Sequence, residues 1–203
     1  MTENNYFAHN LNTTMKHLVL VLSFTLCINS IHAQKKDDDT SKNAENPVEF
    51  SIDSSRVLTL DKTIKTLYRS ISGGKNEKRN WKQFKYLFKP DAKLIPSGIN
   101  ELGQYMVNYM SPDDYIKNSG TWLEENGFIE KEIHREIDAF GNIAHVFSTY
   151  EAYLTHDQKT PFMRGINSIQ LQFDGKRWWI VNIFWTQETK YNPIPKTYLP
   201  NNY

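Results

Sequence analysis

Three observations predict an α+β domain. Apolar residues recur at helical spacing between residues 60 and 126, strand-type alternation takes over after Gly127, and two glycine turns divide that second half into hairpins. Helices followed by a run of antiparallel strands bury their apolar faces by packing the helices on one side of a curved sheet. With 203 residues, 39% hydrophobic and 13% aromatic, the chain is long enough for one core and too short for two average domains.

Residues 1–33 read as a signal peptide. Met15-Lys16-His17 opens a short positive region, residues 18–28 form an apolar run of eleven, and Asn29-Ser30-Ile31-His32-Ala33 ends in a small residue. That is the three-part layout of a secretory signal, with Met15 the expected initiator and cleavage expected after Ala33. Eleven apolar residues fall well short of the ~20 that span a bilayer, so no transmembrane segment is expected. Cys27 offers a lipoprotein alternative, disfavoured because Leu26 stands before it where that processing takes a small residue. The protein is expected in the periplasm or outside the cell. Loss of Cys27 with the signal leaves no thiol for a disulfide, a metal or a nucleophile.

Residues 34–57, with Lys35-Lys36-Asp37-Asp38-Asp39 and almost nothing to bury, read as a polar linker. The domain is expected over residues 58–190. Leu60, Ile64, Leu67, Tyr68 and Ile71 share one helical face, with Thr59 as cap and Gly73-Gly74 as terminator. Trp81, Phe84 and Phe88 repeat on a second short helix that Pro90 stops. A brief strand follows over residues 92–95. Ser111-Pro112-Asp113-Asp114 opens a third helix: a hydroxyl cap, proline in the first turn, and acidic groups at the positive end of the dipole. It is expected to reach Asn126-Gly127 and to bury Tyr115 or Ile116, Ser119, Trp122 and Leu123. Turns at Gly141-Asn142 and Asp174-Gly175 then set two antiparallel hairpins. Residues 191–203 form a proline-rich tail.

Lys and Arg number 24 against 23 Asp and Glu, a formal charge of +1. No basic excess exists to neutralise a phosphate backbone, and nucleic acid is not an expected partner.

The segments Arg79-Asn80-Trp81-Lys82-Gln83-Phe84 through Phe88-Lys89-Pro90-Asp91-Ala92, Phe140-Gly141-Asn142-Ile143-Ala144-His145-Val146 and Asp174-Gly175-Lys176-Arg177-Trp178-Trp179-Ile180-Val181 resemble, in order and spacing, the NTF2-like (SnoaL-like) superfamily. The resemblance covers roughly residues 58–188. It implies a cone-like fold, three N-terminal helices packed on a curved antiparallel sheet, enclosing a pocket. Members of that superfamily include isomerases, cyclases, dehydratases and binding modules, so the likeness speaks for fold and leaves reaction open.

Strand alternation assigns the faces. Parity from the two turns puts Arg135, Ser148, Tyr150, Asn167, Asn182 and Thr186 among the inward residues, with Asn167 opposite Asn182. Buried unpaired, each costs about 1–3 kcal/mol, so they pair with one another, with water or with a ligand. These six are the candidate pocket residues. Phe147, Trp179, Ile183 and Trp185 fall on the outer face, more apolar surface than solvent tolerates, which points to a homodimer interface or to cover by the tail. On this parity no carboxylate of the hairpins points inward except Glu188 at a strand end. His134 and His145 lie about 13 Å apart along the strands, too far to share a metal. An Asp138–His145 pair belongs to the outer surface. A β-bulge in either hairpin would exchange the two faces.

No cofactor and no metal is expected. The favoured reading is an exported domain with a small-molecule-binding pocket and no assignable reaction. The alternatives are a SnoaL-like cyclase, dehydratase or isomerase acting on a small apolar carbonyl compound, and an envelope interaction module working through its outer sheet face.

Overall fold

A computed structural model describes residues 49–201 and 203. The expected signal peptide, Cys27 and most of the expected linker lie outside these residues. Among the described residues no helix is long and apolar enough to cross a membrane.

The helices form where their caps and apolar spacing place them. Helix α1 (Leu60–Ile71) starts at Thr59, whose hydroxyl accepts from the Lys62 backbone amide at 3.2 Å. Its buried stripe includes Ile64, Leu67, Tyr68 and Ile71. Composition alone puts residues 54–57 in the linker; they instead form a 3-10 turn whose Val57 is buried in the core. Helix α2 (Trp81–Tyr86) is shorter than the aromatic spacing implies, because Phe88 already opens strand β1 (Phe88–Ile99). Pro90 sits inside that strand, in its irregular stretch between Phe88 and Lys93. Helix α3 (Pro112–Asn126) carries a reciprocal cap: Ser111 Oγ accepts from the Asp114 amide, and the Asp114 carboxylate accepts from the Ser111 amide at 2.9 Å.

Strands β2 (Tyr105–Val107), β3 (Ile129–Phe140), β4 (Ile143–Tyr153), β5 (Met163–Phe173) and β6 (Trp178–Gln187) complete a six-stranded curved sheet in the order β2-β1-β6-β5-β4-β3. All neighbours are antiparallel except β1 and β6, which run parallel. The three helices and the inner sheet face enclose one core, with Phe84, Leu87, Val146, Ile169 and Ile180 among its buried members. The α+β fold is thus as the sequence predicts, a helix layer over a curved sheet, with one parallel pair and the short β2 added.

Two bulges change which side chains face that core. On β6, Leu171 pairs with Ile180 near the turn, but Gln170 pairs with Asn182, so Val181 is an extra residue. Beyond it Ile183 and Trp185 turn inward, while Asn182, Phe184 and Thr186 turn outward. The gain is physical: unbroken alternation would bury an asparagine and a threonine, whereas the bulge buries Ile183 to 5% exposure. On β3 the extra residue is Ile133. His134 pairs with Thr149, but Glu132 pairs with Tyr150, and Glu130 lies opposite Ala152. This bulge sends Glu130 and Glu132 inward.

Both expectations built on unbroken parity are therefore corrected. Asn167 faces Trp185, and Asn182 faces Gln170 on the outer side. Of the four residues read as an outer aromatic patch, Ile183 and Trp185 belong to the interior.

Candidate functional site

Two carboxyls and three tyrosines converge between the sheet and the helices. Glu132 on β3 is paired with Arg135, which also lies 3.4 Å from Asp61 on α1. Its other carboxylate oxygen accepts from Ser148 Oγ at 2.5 Å. The Ser148 hydroxyl meets the Tyr68 hydroxyl at 2.7 Å. Asn167 closes the chain, its side-chain amide donating to Tyr68 Oη at 3.1 Å and to Glu130 Oε1 at 3.2 Å. One hydrogen-bonded line thus runs Arg135, Glu132, Ser148, Tyr68, Asn167, Glu130.

Glu130 is the unusual member. The residue is half-buried, and Asn167 is the one hydrogen-bond donor to its carboxyl among the described residues. Burial pushes its carboxyl up to about 8, against a smaller lowering by Asn167. At neutral pH it is mostly a neutral acid. Burial and the nearby Glu130 charge also raise Tyr68, Tyr115 and Tyr150 above the ordinary phenol value. Tyr115 comes from the first turn of α3 and stacks on Phe84 at 5.4 Å. The Tyr150 ring lies over Gly165, its cross-strand partner. A Cβ at Gly165 would stand 2.5 Å from the Tyr150 oxygen and from the Thr186 carbonyl, so only glycine leaves room for the ring. A carboxyl held neutral beside phenolic hydroxyls, with an amide to orient it, can donate and accept a proton near neutral pH.

No protein-family profile and no curated protein matches the chain. Solved structures do. An NTF2-like protein of unknown function from Pseudomonas putida superposes with a TM-score of 0.50 at 8% identity, over 71% of this chain and 96% of that one. A cystatin-like-fold protein of unknown function from Nostoc punctiforme gives 0.49 at 10%, over 70% and 97%. A protein from Novosphingobium aromaticivorans, provisionally designated a scytalone dehydratase, gives 0.48 at 14%, over 71% and 91%.

The chain has the NTF2-like fold.

Within this NTF2-like fold the sequence-predicted pocket residues divide. Ser148, Tyr150 and Asn167 sit together on the inner face, and Arg135 reaches them through Glu132. Asn182 and Thr186 do not join them; Thr186 is exposed on the outer side. Parity reasoning missed Glu130 and Glu132, because alternation cannot see a bulge. It took Tyr68 and Tyr115 only as helix-face residues. The β6 bulge did leave a trace, since Ile180, Ile183 and Trp185 break strict alternation in favour of burial.

The outer face of the NTF2-like sheet is partly covered. Tyr198 of the tail packs edge-on against Phe147 at 4.9 Å, and its carbonyl accepts from the Thr149 hydroxyl at 2.6 Å. Trp179 stacks on the Arg177 guanidinium at 3.6 Å and donates to Asp174 at 2.6 Å. The Asp174 carboxyl is held down to about 2, first by that indole hydrogen bond. His145 meets Ser168 Oγ at 3.0 Å and lies 3.8 Å from the exposed Asp138, on the outer surface. A groove of about 310 Å³ beside α1, lined by Asp53, Ser55, Arg56, Lys62, Thr66 and Arg69, contains none of the converging groups.

Proposed function

We propose that the domain takes a small, largely apolar molecule bearing a carbonyl or hydroxyl oxygen into the interior between helices and sheet, and that Glu130 moves a proton on it. The observation that carries this is Glu130 itself. The β3 bulge gives up an inward Ile133 for two carboxyls, and only one of them receives a counter-ion. A sequence that breaks a burial rule at one place without compensation is marking a functional position. The chemistry is then of the dehydratase, isomerase or cyclase kind, acid–base steps with no electron transfer.

Export of this domain is supported by the signal pattern of residues 1–33; mass spectrometry of the mature protein is expected to find Gln34 at its N-terminus. Homodimerisation through the outer face has less to rest on, with Ile183 and Trp185 turned inward and Tyr198 lying on Phe147.

The test uses two uncharged aromatic probes. Wild type and Glu130→Gln are titrated with 2-naphthol, and both are assayed for ring opening of 5-nitrobenzisoxazole, which reports removal of one carbon-bound proton. Wild type is expected to bind naphthol and to open the ring above the buffer rate, along a pH curve with a midpoint near 8. Glu130→Gln is expected to keep naphthol binding and lose the rate by at least about ten-fold. Binding without turnover would leave a carrier; binding of neither probe would remove the interior site.

A further inference from the structure

Hydrogen-bond direction inside the cluster can be worked out from the charge of Glu132. That carboxylate is paired with Arg135 and can only accept, so the single Ser148 hydrogen goes to it. Ser148 Oγ then has only lone pairs for Tyr68, and Tyr68 must donate to Ser148. The remaining face of the Tyr68 oxygen accepts from Asn167. Both amide hydrogens of Asn167 are spent, one on Tyr68 and one on Glu130. Tyr68 therefore has no hydrogen left to offer a bound molecule.

Tyr115 and Tyr150 differ. Both stand in the field of Glu130, and among the described residues neither hydroxyl has a hydrogen-bond partner. Gly165 opens the space that seats the Tyr150 ring. The cationic side of the cluster is used up as well: Arg135 serves Glu132 and Asp61.

Resting on the interior site proposed above, we infer that Tyr115 and Tyr150, with Glu130, are the groups that contact the ligand, that Tyr68 is a structural residue tied into the Arg135–Glu132–Ser148 arm, and that the site admits an uncharged molecule with an acceptor oxygen while rejecting a carboxylate. The class follows from the inventory. Three donors face the ligand, and among the described residues no unpaired cation stands with them, so a carboxylate entering the site would give up its hydration with no counter-charge to replace it.

The experiment compares 2-naphthol with 2-naphthoate, which share a ring system and differ in charge, at pH 7 on the full mature chain and its Tyr68→Phe, Tyr115→Phe and Tyr150→Phe variants. Binding is read by calorimetry and folding by thermal melting. Wild type is expected to bind naphthol and to bind naphthoate at least about ten-fold more weakly. Tyr115→Phe and Tyr150→Phe are each expected to weaken naphthol about five-fold, the worth of one ordinary hydrogen bond, with little change in melting temperature. Tyr68→Phe is expected to lower the melting temperature and leave naphthol affinity within about two-fold. Naphthol bound by wild type but weakened by Tyr68→Phe alone would overturn the assignment of roles and leave the interior site standing. Equal binding of naphthoate would overturn the stated ligand class. Failure of wild type to bind naphthol would overturn both this inference and the site on which it rests.

Discussion

At the scale of single residues, Glu130 carries the most information. Burial costs its charged form, so the folded protein holds a proton that the unfolded chain releases near the ordinary value of 4.5. Stability from this group is fully present below that value and is lost as the pH climbs toward 8. The groups facing Glu130 do not mask the effect: Tyr68, Tyr115 and Tyr150 are pushed further above the neutral range, Asn167 does not titrate, and Glu132 is paired with Arg135. Glu130→Gln removes the charge at nearly the same shape. Urea unfolding at pH 5 and pH 9 is expected to show the variant gaining on wild type at the higher pH by on the order of 2–4 kcal/mol. Parallel curves would mean that the carboxyl is freely solvated.

At the scale of elements, the β6 bulge decides which half of the strand is core. Ile183 is buried and pairs across with Ile169, while its neighbour Phe184 is 42% exposed. Ile183→Ala is expected to cost about 2–4 kcal/mol and Phe184→Ala less than about 1 kcal/mol in chemical denaturation. Unbroken alternation requires the opposite ranking, so the pair tests the register directly. The capping signals of α1 and α3 needed no such correction, whereas the expected second helix gave up Phe88 to strand β1, which also takes in Pro90. Thr59, and Ser111 with Pro112 and Asp114, start α1 and α3 where they stand, because capping is local chemistry between a side chain and the backbone two or three residues on. Strand register is a property of two chains at once, and the residue that bulges is chosen by the packing of the whole sheet.

At the scale of the whole molecule, one buried cation ties the helix layer together. Arg79 follows α1 and donates to the carbonyls of Ile71 at 3.1 Å, Gly73 at 2.7 Å and Leu123 at 3.0 Å, joining the C-terminal ends of α1 and α3. Both ends carry the negative pole of the helix dipole, which a guanidinium satisfies with charge and with its fork of donors. Burial lowers its basicity, offset in part by Glu77 and Glu124. Arg79→Ala is expected to cost about 3–5 kcal/mol by urea denaturation, and Arg79→Lys to recover only part of it, since an ammonium cannot reproduce the fork. Full rescue by lysine would show that charge alone matters. The same layer seats Tyr68 and Tyr115 above Glu130, so loosening it is expected to loosen the site.

By itself the sequence determined the α+β class, the starts of α1 and α3, the hairpin turns, and the inward placement of Ser148, Tyr150 and Asn167, because capping, turn chemistry and two-residue alternation act over a few neighbouring positions. Only the tertiary structure decided that Glu130 and Glu132 face inward, that Asn182 and Thr186 do not, and that Ile183 and Trp185 are core. Each of those depends on one extra residue in a strand, and where a sheet accommodates that residue is settled by the sum of burial across all its neighbours.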